Sequence, residues 1–514
     1  MRWTRAAVAA ALTITIAGCG AGPSDRPGVA VERPAVGDVA PTSVAPPPPP
    51  TAELPKSDLS WRDCTAATVD QLGLGPAPAG LILECAEYST PIDYEGAVLG
   101  SFRAGALRAR LDRTPNVAPV VLTSGTDRSS TATLAGMAVG GSALLAERPV
   151  VAVDRRGLGT SQAIDCLPTL VRRGLADNGQ FGPEADAPIE AMTGYSQDGT
   201  IACRDFLQPY EGTFDAPHAA DDIEQLRKQW QVQHIDLIGS GNGARVALSY
   251  ARRFGDHLSR LILDSPEPIA DAVTREDQRL QGAEAALSAF AQRCVGLGCS
   301  LGPDPRAAIT ALVTRAGEGG LGDISANALL TGITGFLGAP RADQSARVAE
   351  LADALSAAGR GDRAALNTLI QRETAATASD GQFVNRCTDT QQPPTPVKAQ
   401  ELTTTWGQKY PVFGRSAAIA LMECAAWPVA SAPPLPEKLN LPVLVLSGVA
   451  DPVVGNGGTS SVTGALGAAG ATHATVAWQG WGHPVLTHSA CAQRAVLGYL
   501  KDAKLPGDGT ACPA

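Results

Sequence analysis

Five short, continuous apolar runs limit what this chain can fold into. They occupy 119–123, 149–154, 235–238, 261–264 and 442–447. A run that is apolar at nearly every position, rather than at alternate ones, belongs to a parallel strand covered on both faces. Helical segments lie between the runs. In 219–230, Ile223, Leu226 and Trp230 share one face behind Asp221 and Asp222, acids suited to a helix's first turn. In 244–254, Val246, Leu248 and Tyr250 recur before Arg252-Arg253 and Gly255, and 491–501 forms a last helix. This alternation predicts an α/β fold with a doubly wound, mostly parallel sheet. The stretch 269–436 interrupts it, being Ala-rich and helical in pattern. Strand-like residues return at 442–447, so 269–436 reads as a helical cap inserted between core segments 57–268 and 437–514. A separate C-terminal domain is the alternative.

The ends and the cysteines set the compartment. Arg2 and Arg5 precede an apolar stretch, 6–17, and then Ile16-Ala17-Gly18-Cys19. Small residues before a cysteine resemble a bacterial lipobox, which makes 1–18 a signal peptide and Cys19 the lipidated residue. An ordinary signal peptide with an incidental cysteine is the alternative. Residues 19–56 hold five prolines in a row at 46–50 and little apolar surface, as an extended tether does. The expected location is the outer face of the bacterial cell membrane, held by the N-terminal lipid alone. No later apolar run reaches the roughly 18 residues of a membrane span. Ten cysteines follow Cys19, an even number that fits disulfides in an exported protein. Sequence leaves the connectivity open. Neighbour pairing is simplest: Cys64–Cys85, Cys166–Cys203, Cys294–Cys299, Cys387–Cys424 and Cys491–Cys512. No C-x-x-C pair occurs, and His483 and His488 lack a thiolate cluster at ligand spacing, so neither metal nor cofactor is expected. A formal net charge of −10 argues against a nucleic-acid surface.

The run 235–238 leads into Gly239-Ser240-Gly241-Asn242-Gly243 and then a helical pattern. Strand, tight glycine turn and helix are the layout of a nucleophile elbow, G-x-S-x-G. Here the central position is Gly241, which has no side chain to attack with. Ser240 stands one residue early, and neighbouring side chains at a sharp turn point in different directions.

Many short matches in order carry a family resemblance. They include Trp61-Arg62-Asp63-Cys64, Leu83-Glu84-Cys85-Ala86, Thr90-Pro91-Ile92-Asp93-Tyr94 and the segment 153–161. Arg293-Cys294, Gly298-Cys299, Asn385-Arg386-Cys387, Cys424-Ala425-Ala426-Trp427-Pro428 and the closing Cys491 and Cys512 follow. Over residues 59–514 the chain resembles the secreted tripeptidyl-aminopeptidase-like peptidases of the prolyl-aminopeptidase superfamily. The resemblance implies an α/β-hydrolase fold with a helical cap over the cleft, and work on peptides or esters outside the cytoplasm. It places the family's acid on Asp451 and its histidine on His483, with His488 a weaker candidate, and the serine on Gly241. One oxyanion donor falls on the Asn242 amide. The other falls in the loop 123–131, which here reads Thr-Ser-Gly-Thr-Asp-Arg-Ser-Ser-Thr and brings Asp127 toward a site built for a developing negative charge. Ser124 and Ser129 in that loop are weak substitutes.

The expected function is a lipid-anchored protein of hydrolase descent with lost or much reduced hydrolysis. It would bind a peptide, ester or envelope ligand. Two other readings stay open. One is an active peptidase or esterase using Ser240, or a water activated by His483 and Asp451. The other is a structural protein with a closed cleft.

Overall fold

The computed structural model describes residues 50–514 apart from 391 and 430. The signal segment, Cys19 and the tether up to residue 49 lie outside the described residues. Ten strands form one sheet: β1 (Arg62–Asp63), β2 (Leu81–Pro91), β3 (Ser101–Leu111), β4 (Val120–Thr123), β5 (Val150–Val153), β6 (Ile235–Ser240), β7 (Leu258–Asp264), β8 (Val443–Ala450), β9 (His473–Trp481) and β10 (Thr510–Cys512). Their order is β1-β2-β3-β5-β4-β6-β7-β8-β9-β10. The pairs from β1 to β5 through β2 and β3 are antiparallel, and every pair from β5 to β10 is parallel.

The continuous apolar runs follow from burial on both faces. In β4, Val121 packs on one face, and Val120 and Leu122 pack on the other. In β8, Val443 and Val445 join the first face and Leu444 and Leu446 the second. The first face is closed by the helices Ala216–Trp230 and Gly243–Phe254, and the second by Ser130–Gly140 and Ala490–Asp502. Each fully buried Leu, Ile or Val there stabilises the fold by about 1.5–3 kcal/mol. The Ala216–Trp230 helix starts where the Asp215 side chain accepts the His218 N–H, with Pro217 in its first turn.

The apolar-run pattern does not reveal β2, β3 or β9. In β9, Ala474, Val476 and Trp478 are buried while their neighbours are partly exposed, an alternation with no continuous run. In β3, Arg103, Arg108 and Arg110 break any run, and they pair with Glu87 and Glu84 of β2.

Among the described residues, eight α-helices lie between β7 and β8, from Ala272–Leu297 to Gly414–Ala420. Two more, Thr169–Ala176 and Pro188–Leu207, lie between β5 and β6 and pack with them. The helical layer beside the sheet therefore draws on two chain segments. The disulfides are Cys64–Cys85, Cys166–Cys203, Cys294–Cys299, Cys387–Cys424 and Cys491–Cys512.

Candidate active site

The chain runs from β4 to β5 on one side and later places β6 on the other, so β4 and β6 are neighbours whose connections diverge. A crevice opens beyond the carboxyl ends of strands at such a switch point. The loop 124–129 leaves β4 there, and Gly241 follows β6. Gly241 has φ +57°, a left-handed conformation that glycine adopts without strain. Its flanks are crowded: a Cβ at Gly239 would lie 2.7 Å from the Ala247 Cβ, and one at Gly243 would lie 2.3 Å from the Thr123 carbonyl oxygen. The tight turn into the Gly243–Phe254 helix thus needs its glycines.

Asp451 and His483 come together. Asp451 follows β8 and is wholly buried, and its Oδ1 accepts the N–H groups of Val453 and Val454. Its Oδ2 accepts from His483 Nδ1 at 2.8 Å. A residue the sequence showed only as part of a strand holds the histidine loop. Asp264, at the end of β7, accepts the amides of Val485 and Leu486. Burial pushes the Asp264 carboxyl up to about 7 against those hydrogen bonds.

The other ring nitrogen faces no serine. His483 Nε2 lies 3.1 Å from Asp127 Oδ2. A Cβ placed on Gly241 would sit 3.0 Å from that nitrogen and 3.1 Å from the same carboxylate oxygen. Asp127 has therefore entered the space of a residue-241 side chain. Burial alone would lower the pKa of His483. The Asp451 charge, the hydrogen bonds to Asp127 and Asp451 and the Asp127 charge outweigh it and push the imidazole up to about 10. At neutral pH His483 is an imidazolium donating to two carboxylates.

The remaining expected residues are placed as follows. Ser240 Oγ is fully buried with no hydrogen-bond partner among the described residues, and the structure does not bring it to His483. Its partner strand residue is Asp264. His488 stacks on Trp478 with centroids 5.1 Å apart, and its Nε2 meets the Gly338 carbonyl. Among the described residues the Asn242 N–H makes no backbone hydrogen bond. The Asn242 side chain is fixed, its Nδ2 donating to Glu267 and its Oδ1 accepting from Arg155. In the loop, Ser129 caps the Ser130–Gly140 helix by accepting the Ala132 N–H. The Ser124 and Thr131 amides are spent on Ser130 Oγ and Asp154. Those amides are not free to serve an oxyanion.

A cavity of about 470 Å³ opens onto Asp127, Asn242 and His483, with Met192, Leu330 and Phe383 among its apolar walls. The cleft is not filled. Among the described residues no group of three or more His, Cys, Asp or Glu side chains is placed to hold a metal ion. No helix there is long and apolar enough to cross a membrane.

The model of the family described as TAP-like protein matches residues 410–512, the stretch that carries both Asp451 and His483. No curated protein matches the chain. Among solved structures, esterase E22 is 11% identical over 82% of this chain and 100% of its own, with a TM-score of 0.40. A thermophilic esterase from Thermogutta terrifontis is 13% identical over 81% and 98%, with a TM-score of 0.33. Esterase RhEst1 from Rhodococcus sp. is 15% identical over 81% and 99%, with a TM-score of 0.34. The α/β-hydrolase fold rests on the sheet order, the turn after β6 and the Asp451–His483 pair of the TAP-like stretch.

Proposed function

We propose that this chain is an exported, lipid-anchored protein of the α/β-hydrolase fold that has lost serine-type hydrolysis and binds a peptide, ester or envelope ligand in its cleft. The Asp127–His483 ion pair beside Gly241 carries this reading. A hydroxyl nucleophile needs a neutral imidazole to take its proton. His483, pushed up to about 10, has no free lone pair at Nε2 at neutral pH. A water waiting for activation meets the same obstacle. Residue 241 offers no hydroxyl, and removing a triad nucleophile costs on the order of 10⁶ in turnover. The open cavity of about 470 Å³ supports a binding role over a closed, structural one. The charged and apolar N-terminal pattern ending at Cys19, and ten later cysteines joined in five pairs, support export.

A fluorophosphonate probe tests the loss of serine chemistry directly. The purified protein is expected to remain unlabelled under conditions that saturate an active serine hydrolase. Robust labelling at Ser240 would sink the proposal.

A further inference from the structure

Five arginines among the described residues line the cavity, and four are hydrogen-bonded to an acid. Arg128 bonds to Glu373, Arg172 to Asp380, Arg279 to Glu276 and Arg386 to Glu423. Arg275, in the first turn of the Ala272–Leu297 helix, is not. Its Nη1 donates to the Ala270 carbonyl at 2.8 Å. Glu267 Oε1 lies 3.8 Å from its Nε, beyond hydrogen-bond reach. Nε and Nη2 thus donate to nothing among the described residues. The side chain keeps 13% exposure, and neither nitrogen is sealed from solvent.

The charges around Arg275 do not balance. Glu267 serves Arg245 as well, and it also accepts from Asn242 Nδ2. Asn242 leads on to Arg155, which pairs with Asp389. Three guanidiniums share two carboxylates in direct contact, so one positive charge is left over. The helix offers no offset, because its first turn is the positive end of its dipole. Burial, with a smaller push from the Arg245 charge, holds Arg275 below the ordinary arginine pKa despite Glu267. A partly desolvated cation without a full partner is costly, and an anion in the cavity would remove that cost. Of the other acids on the wall, Glu276 and Glu423 are neutralised by their arginines, and Asp127 is held by His483. The whole chain carries a formal net charge of −10, so this positive surplus is local.

The unspent donors select the ligand. Nε and Nη2 form one edge of the guanidinium, and their two parallel N–H groups match the two oxygens of a carboxylate. A surplus of one charge suits a monoanion better than a phosphate dianion. Leu330, Phe413, Leu421 and Val454 give the same cavity apolar walls for the rest of the molecule. We propose that the cleft binds an organic monocarboxylate, its carboxylate on the Nε–Nη2 edge of Arg275 and its apolar body against those walls. The inference rests on the reading of the cleft as a binding site and names the class of ligand. It needs no bond to be made or broken at His483.

Three probes that share one alkyl chain test the head group: octanoate, octanol and octyl phosphate. Each is titrated calorimetrically into the purified full chain carrying Cys19→Ala, which avoids detergent. Octanoate is expected to bind at one site per chain, at least about tenfold more tightly than either of the others. Arg275→Met, shown by thermal unfolding to be folded, is expected to lose that preference over octanol and to bind octanoate at least about tenfold more weakly. The comparison of head groups in the chain with Arg275 intact needs no folded variant. Octanol or octyl phosphate binding as tightly as octanoate overturns the inference and keeps the cleft as a binding site. Unchanged octanoate affinity in folded Arg275→Met overturns it too. Absence of binding by all three overturns it and leaves the fluorophosphonate outcome, and with it the loss of serine chemistry, untouched.

Discussion

At residue scale the site is defined by an exchange. The side chain is missing at Gly241, and a carboxylate from the loop after β4 has moved into its space. The missing serine, the acid Asp451, the histidine His483 and the unusual Asp127 are all legible in the sequence, because motif order and residue type carry them. The contact between Asp127 and Nε2 is not legible, since it depends on how closely two loops approach across β4 and β6. Asp264 is also hidden, because an Asp closing an apolar run reads as the end of a strand. Gly241→Ser tests the exchange. Its Cβ would crowd both His483 and Asp127, and a side chain at φ +57° adds about 1–2 kcal/mol of strain. The single variant is expected to stay unlabelled by fluorophosphonate, because the carboxylate still holds Nε2. Gly241→Ser combined with Asp127→Gly is expected to label at least about 10²-fold faster. Equal labelling of the two variants would show that Asp127 is no lock.

At the scale of elements, what the sequence reveals depends on how each element is buried. Strands β4, β5, β6, β7 and β8 are covered on both faces, so they announce themselves as apolar runs. β9 is buried on one face and β3 carries three arginines that pair across to β2, so neither does. Helix ends shifted by one to three residues: the segment 219–230 is the Ala216–Trp230 helix, because Asp215 and Pro217 start it earlier than the apolar spacing shows. The helices between β7 and β8 follow from an Ala-rich helical pattern. The contribution of Thr169–Ala176 and Pro188–Leu207 to the same layer does not, since it comes from packing against residues some 200 positions later, such as Phe383 and Met422. The cavity walls therefore combine side chains from both segments, Met192 from one and Phe383 from the other.

At the scale of the whole molecule, an α/β core carries a helical layer over an open cleft. Anchoring through Cys19 is testable in a detergent phase separation. The full chain is expected in the detergent phase and Cys19→Ala in the aqueous phase, and equal partitioning of both would exclude the lipid. The fold stays intact whether or not the cleft performs chemistry, so catalytic fate turns on one proton. His483 has a folded pKa raised well above the unfolded value of about 6.5. Its contribution to stability is full below that value and is lost as the pH rises through about 10. The most direct measurement is an NMR titration of the His483 ring in the intact protein and in Asp127→Asn. The expected result is an imidazolium that persists through neutral pH and deprotonates near 10, with a lower midpoint in the variant. A ring that titrates near its ordinary value in the unaltered protein, unmoved by Asp127→Asn, would contradict the account.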